Sequence, residues 1–158
     1  MTRWVAIAAL ACSAPARVVE PPAPALEVWP ADDVLRDLVE AAAPRIEAAT
    51  GLRGVASQQA SAVPLFWSSD GEWSGLAYSH EGELDWLAID PRVPQILRVT
   101  ATMHEVLHGF GAAHVARAEG VLSPELWPGR PWYLTAADLG SVCAVAPCTH
   151  MVSERDVY

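Results

Sequence analysis

Within residues 104–114 the chain reads His-Glu-Val-Leu-His-Gly-Phe-Gly-Ala-Ala-His, and His104, Glu105, His108 and His114 could work together chemically. A spacing of four puts His104 and His108 on nearly the same face of a helix, so two imidazoles can reach one metal without distorting the backbone. Glu105 lies one residue round that helix, where it can address a water at the metal without ligating the ion. Gly109 and Gly111 let the chain leave the helix, because glycine tolerates positive φ, and the turn can bring His114 back as a third ligand. Three neutral imidazoles with an open fourth position are the pattern of a catalytic zinc (Zn2+) rather than a structural one, although other first-row ions bind such sets. Zinc lowers the pKa of water from 15.7 to roughly 7 and polarises a carbonyl. Glu105 would act as the general base and return the proton to the leaving amine. At roughly 5% per residue type, five fixed positions match by chance about once in several million starts.

Those side chains need a scaffold. Apolar residues at helical spacing through Ile96, Val99, Met103 and Leu107 predict a helix from Gln95 to about Gly109 carrying the first two histidines. Asp32 and Asp33 open an earlier helix with Val34, Leu35, Leu38, Val39, Ala42 and Ile46 on one broad face. Pro44 is expected to kink it and Thr50-Gly51 to end it. Val63–Trp67, Gly75–Tyr78 and Leu84–Ile89 read as strands, with Ser68-Ser69-Asp70-Gly71 as a turn and Asp90-Pro91 as a stop. Thr135 and Asp138 have capping-box spacing and predict a final short helix. Helix, small sheet and two further helices make an α+β domain.

The bulk composition sets limits. The 158 residues suffice for one core, and 52% hydrophobic against 18% charged argues against disorder. A formal charge of −9 argues against nucleic acid or an anionic membrane surface as the main partner. At the N-terminus, Arg3 precedes the apolar run Trp4–Ala11, too short to span a bilayer but fit for a signal-peptide core; the alternative is an apolar N-terminal strand. Ala9-Leu10-Ala11-Cys12 resembles the lipobox of bacterial lipoproteins, with Ala9 where Leu is usual. Two processing routes are open: lipidation of Cys12 as a membrane tether, or cleavage after Ala16 to release a secreted protein. Residues 1–12 are thus read as a signal peptide, 13–25 as a Pro/Ala-rich tether and 26–158 as the folded domain. Cys143 and Cys148 close a short loop and fit a disulfide in an oxidising compartment; a metal site there lacks two further ligands.

The series His104-Glu105-x-x-His108-x-x-Gly111-x-x-His114 resembles the zinc signature of the metzincin metallopeptidases. The residues after His114 are most similar to the matrixin-like branch, small bacterial members included. That branch carries a tight turn with Met beneath the zinc, and here Val121-Leu122-Ser123-Pro124 stands in its place, with Leu122 at the Met position. Met151 falls too late to replace it. Leu134–Leu139 resembles the opening of the family's C-terminal helix. The resemblance implies a monomeric zinc endopeptidase acting on protein or peptide substrates. It also implies an edge strand above the cleft, for which Leu84–Ile89 is the candidate on its position before the zinc helix; the alternative for that segment is an ordinary half-buried strand. The loop Glu125–Tyr133, with Trp127 and Trp132, either walls the specificity pocket or belongs to the core. Asp85 and Asp90 read as surface or turn residues, and His80 and His150 as surface histidines. The segment before the domain is too short for a folded inhibitory prodomain. The reading from a different class is a zinc-binding surface lipoprotein that serves as a binding module, with little or no catalysis; a third is hydrolysis of a non-peptide amide.

Overall fold

The computed structural model describes residues 25–71, 73–116, 120–125 and 132–154. The signal-peptide reading, with Cys12, and the tether up to residue 24 therefore lie outside the described residues, and Ala25, the last tether residue, opens the first strand. The elements run β1 (Ala25–Pro30), α1 (Asp33–Thr50), β2 (Arg53–Ala56), β3 (Val63–Trp67), β4 (Gly75–His80), β5 (Glu83–Ile89), α2 (Gln95–Gly109) and α3 (Ala136–Cys143). The fold is a small α+β arrangement with a mixed sheet ordered β2-β1-β3-β5-β4. The first four of these strands pair in parallel, and β4 runs antiparallel to β5.

Local chemistry sets the helix ends. Asp32 caps α1 by accepting from the Leu35 amide at 2.8 Å, and Gly51 ends it in the left-handed region at φ 74°. The helix runs on through Pro44, which faces solvent, where water can satisfy the carbonyl that proline leaves unbonded. Thr135 and Asp138 form both halves of the capping box that starts α3. Cys143 and Cys148 form a disulfide just beyond it, with Cα atoms 5.3 Å apart.

The core lies between one face of the sheet and the helices. Val28, Leu65, Leu87 and Ile89 from the strands meet Leu35, Val39 and Ile46 from α1 and Met103 and Leu107 from α2. Helix α1 lies against β1 and β2, and α2 against β4 and β5. Two assignments of facing need correction. Val34 is 52% and Ile96 83% exposed, because each begins its helix on the side turned from the sheet, and Leu35 and Leu97 take the buried positions. Strand β1 was not expected, because it follows directly on a Pro/Ala-rich stretch, and β2, within a region read as short strands and turns, is too short at four residues to be singled out. Among the described residues no helix is long and apolar enough to cross a membrane.

Of the two readings of Leu84–Ile89, the half-buried strand holds and the edge strand is overturned. Leu84–Ile89 is an interior strand, bonded to β3 on one side and β4 on the other. The edge is β4, Gly75–His80, which precedes β5 in a tight hairpin through Glu81-Gly82. Proximity in sequence to α2 favoured β5, but antiparallel return of the hairpin places the earlier strand outside.

Candidate metal centre

Helix α2 delivers His104 and His108 one turn apart, and Gly111 then reverses the chain at φ 91°, a conformation that favours glycine. The turn is tied to the helix end by the Gly111 and Ala112 amides, which donate to the His108 and Leu107 carbonyls at 2.8 and 3.1 Å. Beyond it His114 comes back over the other two rings. The three imidazoles converge, with one ligand atom from each lying within 4.8 Å of the others. His104 is 7% exposed, His108 is half-buried and His114 is exposed, so the cluster opens from the core toward solvent.

Hydrogen bonds fix which nitrogen each inner ring presents. His104 Nδ1 donates to the Val121 carbonyl at 2.6 Å and His108 Nδ1 to the Ala112 carbonyl at 2.7 Å. A neutral imidazole that donates through Nδ1 carries its lone pair on Nε2. Burial, with repulsion from its histidine neighbours, pulls the His104 pKa down to about 4, and burial likewise lowers that of His108, so both rings are neutral at pH 7. Their Nε2 atoms stand 2.9 Å apart, and His104 Nε2 is 3.1 Å from His114 Nε2. The His104 and His108 lone pairs, facing one another so closely, repel unless a cation lies between them. Tetrahedral bonds of roughly 2.0–2.1 Å would set nitrogens about 3.3 Å apart, close to what is seen. The donor set fits a metal ion and leaves its identity open.

Glu105 has no ligand role in this geometry. It is 3% exposed, with Oε1 4.0 Å from His104 Nε2. Burial pushes its pKa up to about 8. The histidines and Glu105 line a cleft of about 340 Å³ with Gly75, Leu76 and Ala77 of the edge strand. An adjoining cleft of about 500 Å³ shares His104, Glu105 and His114 and is walled by Trp73, Ser123, Pro124 and Glu125.

Beneath the rings, the 120–122 turn is held by Asp138, which is fully buried. Its carboxylate accepts from the Val121 and Leu122 amides at 3.1 and 3.0 Å and from the Thr135 amide and hydroxyl at 2.8 Å. Leu122 is fully buried in that turn, whereas Met151 is 54% exposed. Trp132 lies in the core; Trp127 and the rest of residues 126–131 are outside the described residues. Asp85, His80 and His150 are exposed, and Asp90 is a buried turn residue paired with Arg92. None of these four joins the cluster. Sequence reasoning missed Gly75, against which Glu105 packs, and the full role of Asp138, whose capping half alone was visible. No family model matches the chain, and no curated protein matches it.

Proposed function

We propose that the protein is a zinc-dependent endopeptidase of metzincin type, with His104, His108 and His114 as ligands and Glu105 as general base. The observation that carries this reading is the convergence of Nε2 lone pairs beside a buried carboxylate in an open cleft. Bound zinc would supply Lewis acidity, acidifying water and polarising a scissile carbonyl. Glu105 accepts the proton of the attacking water and passes it to the leaving amine. Opposite charge beside a buried carboxylate draws its pKa down, so the basicity of Glu105 is linked to occupancy of the site. Among the described residues strand β4 has an unpaired backbone edge along the cleft, and an extended peptide can add to it as a further strand, which holds the scissile bond near Glu105. Export, by lipidation of Cys12 or as a secreted chain, belongs to the same reading.

The test is metal content and casein cleavage of the purified chain beside Glu105→Ala. About one zinc per chain in both proteins, with cleavage only in the unaltered one and lost to chelator, is the expected result. Full zinc with no cleavage across protein and peptide substrates would favour the binding module. Folded protein that takes up no zinc would overturn the reading.

A further inference from the structure

Among the described residues, His114 differs from the other two histidines in having no hydrogen-bond partner at Nδ1; its orientation must come from its backbone. Both neighbours are held. The Val115 amide donates to the Leu122 carbonyl at 2.9 Å. On the other side, the Ala113 amide donates to Ser141 Oγ at 3.1 Å, and the Ser141 hydroxyl donates to the Ala113 carbonyl at 2.8 Å. That carbonyl belongs to the peptide that enters His114, so one hydroxyl fixes its plane.

Serine inside a helix ordinarily bonds a carbonyl of its own preceding turn. Ser141 instead spends both its donor and acceptor on a segment 28 residues away. It also stands three residues after Asp138, on the same side of α3. One face of this short helix therefore reaches two parts of the cluster. Asp138 holds the turn whose Val121 carbonyl receives His104, and Ser141 holds the residue that precedes His114.

We propose that Ser141 is a positioning residue for His114: it holds the third imidazole in the ligand set through the Ala113 peptide. This rests on the metal-site reading above. Loss of the hydroxyl leaves Ala113 bonded only to water, and His114 then samples orientations that turn Nε2 away from the other two rings. Outer partners of metal ligands commonly change affinity by about 10–100-fold, and this contact acts at one remove, so the lower end applies.

The experiment is zinc competition against a chromophoric chelator on the full chain, with circular dichroism of the metal-free proteins to compare folding. Ser141→Ala is expected to weaken zinc about tenfold, and Ser141→Thr, which keeps a hydroxyl, to restore affinity to within about threefold. In a His114→Ala background, Ser141→Ala should produce no further loss. If the unaltered chain binds no zinc, the metal-site reading itself fails. If it binds zinc and Ser141→Ala matches it, or Ser141→Ala weakens binding equally without His114, the positioning role alone is overturned. Should Ser141→Ala fail to fold, Ser141→Cys and Ser141→Thr carry the comparison, and equal loss in both would overturn the proposal.

Discussion

Gly75 leaves bare the space that the Glu105 carboxylate occupies: a Cβ on Gly75 would stand 2.3 Å from Glu105 Oε1 and 2.7 Å from its Cδ. Neither group can give way freely, since Gly75 is bonded into the sheet opposite Ile89 and Glu105 is buried on α2. Gly75→Ala should therefore displace the carboxylate while sparing the histidines. Cleavage is expected to fall tenfold or more in kcat, with zinc stoichiometry unchanged. Overpacking of this kind costs about 1–3 kcal/mol, and that cost should vanish in a Glu105→Ala background. Thermal unfolding of the four proteins in the cycle checks it; a cost that persists without Glu105 would refute the contact.

Asp138 and His104 never touch, yet the Val121 backbone joins them, its amide on the carboxylate and its carbonyl on the ring. Removal of a buried acceptor that serves four donors strands the Leu122 and Thr135 amides, while the Val121 amide keeps its bond to the Tyr133 carbonyl. Asp138→Ala should cost about 3 kcal/mol or more and weaken zinc. Urea unfolding of metal-free protein measures the first effect, and chelator competition the second. Asp138→Asn keeps the shape and one acceptor oxygen but turns the other into an amino group that faces an amide, so it should still cost stability and weaken zinc, by less than Asp138→Ala.

The histidine motif was legible in the sequence because it is local: ligand spacing on one helix, glycine at the reversal and a capping box at α3 depend on neighbours a few residues apart. The supports were not, because their partners lie far along the chain. Asp138 reaches back 17 residues to Val121, and Ser141 reaches back 28 to Ala113. Gly75 appeared only as the first residue of a strand, and nothing in its own neighbourhood signals the carboxylate above it. The edge strand was misplaced for a related reason. Alternation identifies Leu84–Ile89 and Gly75–Tyr78 as strands but says nothing about which one has a neighbour on both sides.

The pH dependence of the metal-stripped protein comes from His104 and His108 on one side and Glu105 on the other, which act in opposite senses. His104, lowered from 6.5 to about 4, binds its proton more readily unfolded, so stability falls as pH drops below 6.5. Lowering of the His108 pKa acts in the same direction. Glu105, raised from 4.5 to about 8, keeps its proton longer in the folded state, so stability falls as pH rises from 4.5 toward 8. The effects oppose one another between 4.5 and 6.5. Above 6.5 Glu105 acts alone, and at 1.36 kcal/mol per pH unit the loss by pH 8 is about 2 kcal/mol. Urea unfolding in chelator at pH 6.5 and 8 should show this decline, and Glu105→Gln should flatten it. An equal decline in Glu105→Gln would assign it elsewhere.

Leu122 stands where the resemblance expects methionine, and the geometry says what that exchange can alter. The turn serves the histidines through its backbone: the Val121 carbonyl receives His104, the Leu122 carbonyl receives the Val115 amide beside His114, and the Leu122 amide is fixed by Asp138. None of these bonds depends on the side chain at position 122. That side chain fills buried volume, and leucine and methionine are close in volume, so Leu122→Met should cost less than about 1.5 kcal/mol. Zinc affinity should stay within about threefold, and cleavage should change by no more. Leu122→Ala, by contrast, leaves a cavity beneath the turn and should cost about 2–5 kcal/mol, with weaker zinc as the turn relaxes. Affinity and cleavage measured on both variants separate packing from chemistry. A tenfold gain in cleavage by Leu122→Met at unchanged zinc affinity would show that leucine itself holds the activity down, and would move the unaltered chain toward the binding-module reading.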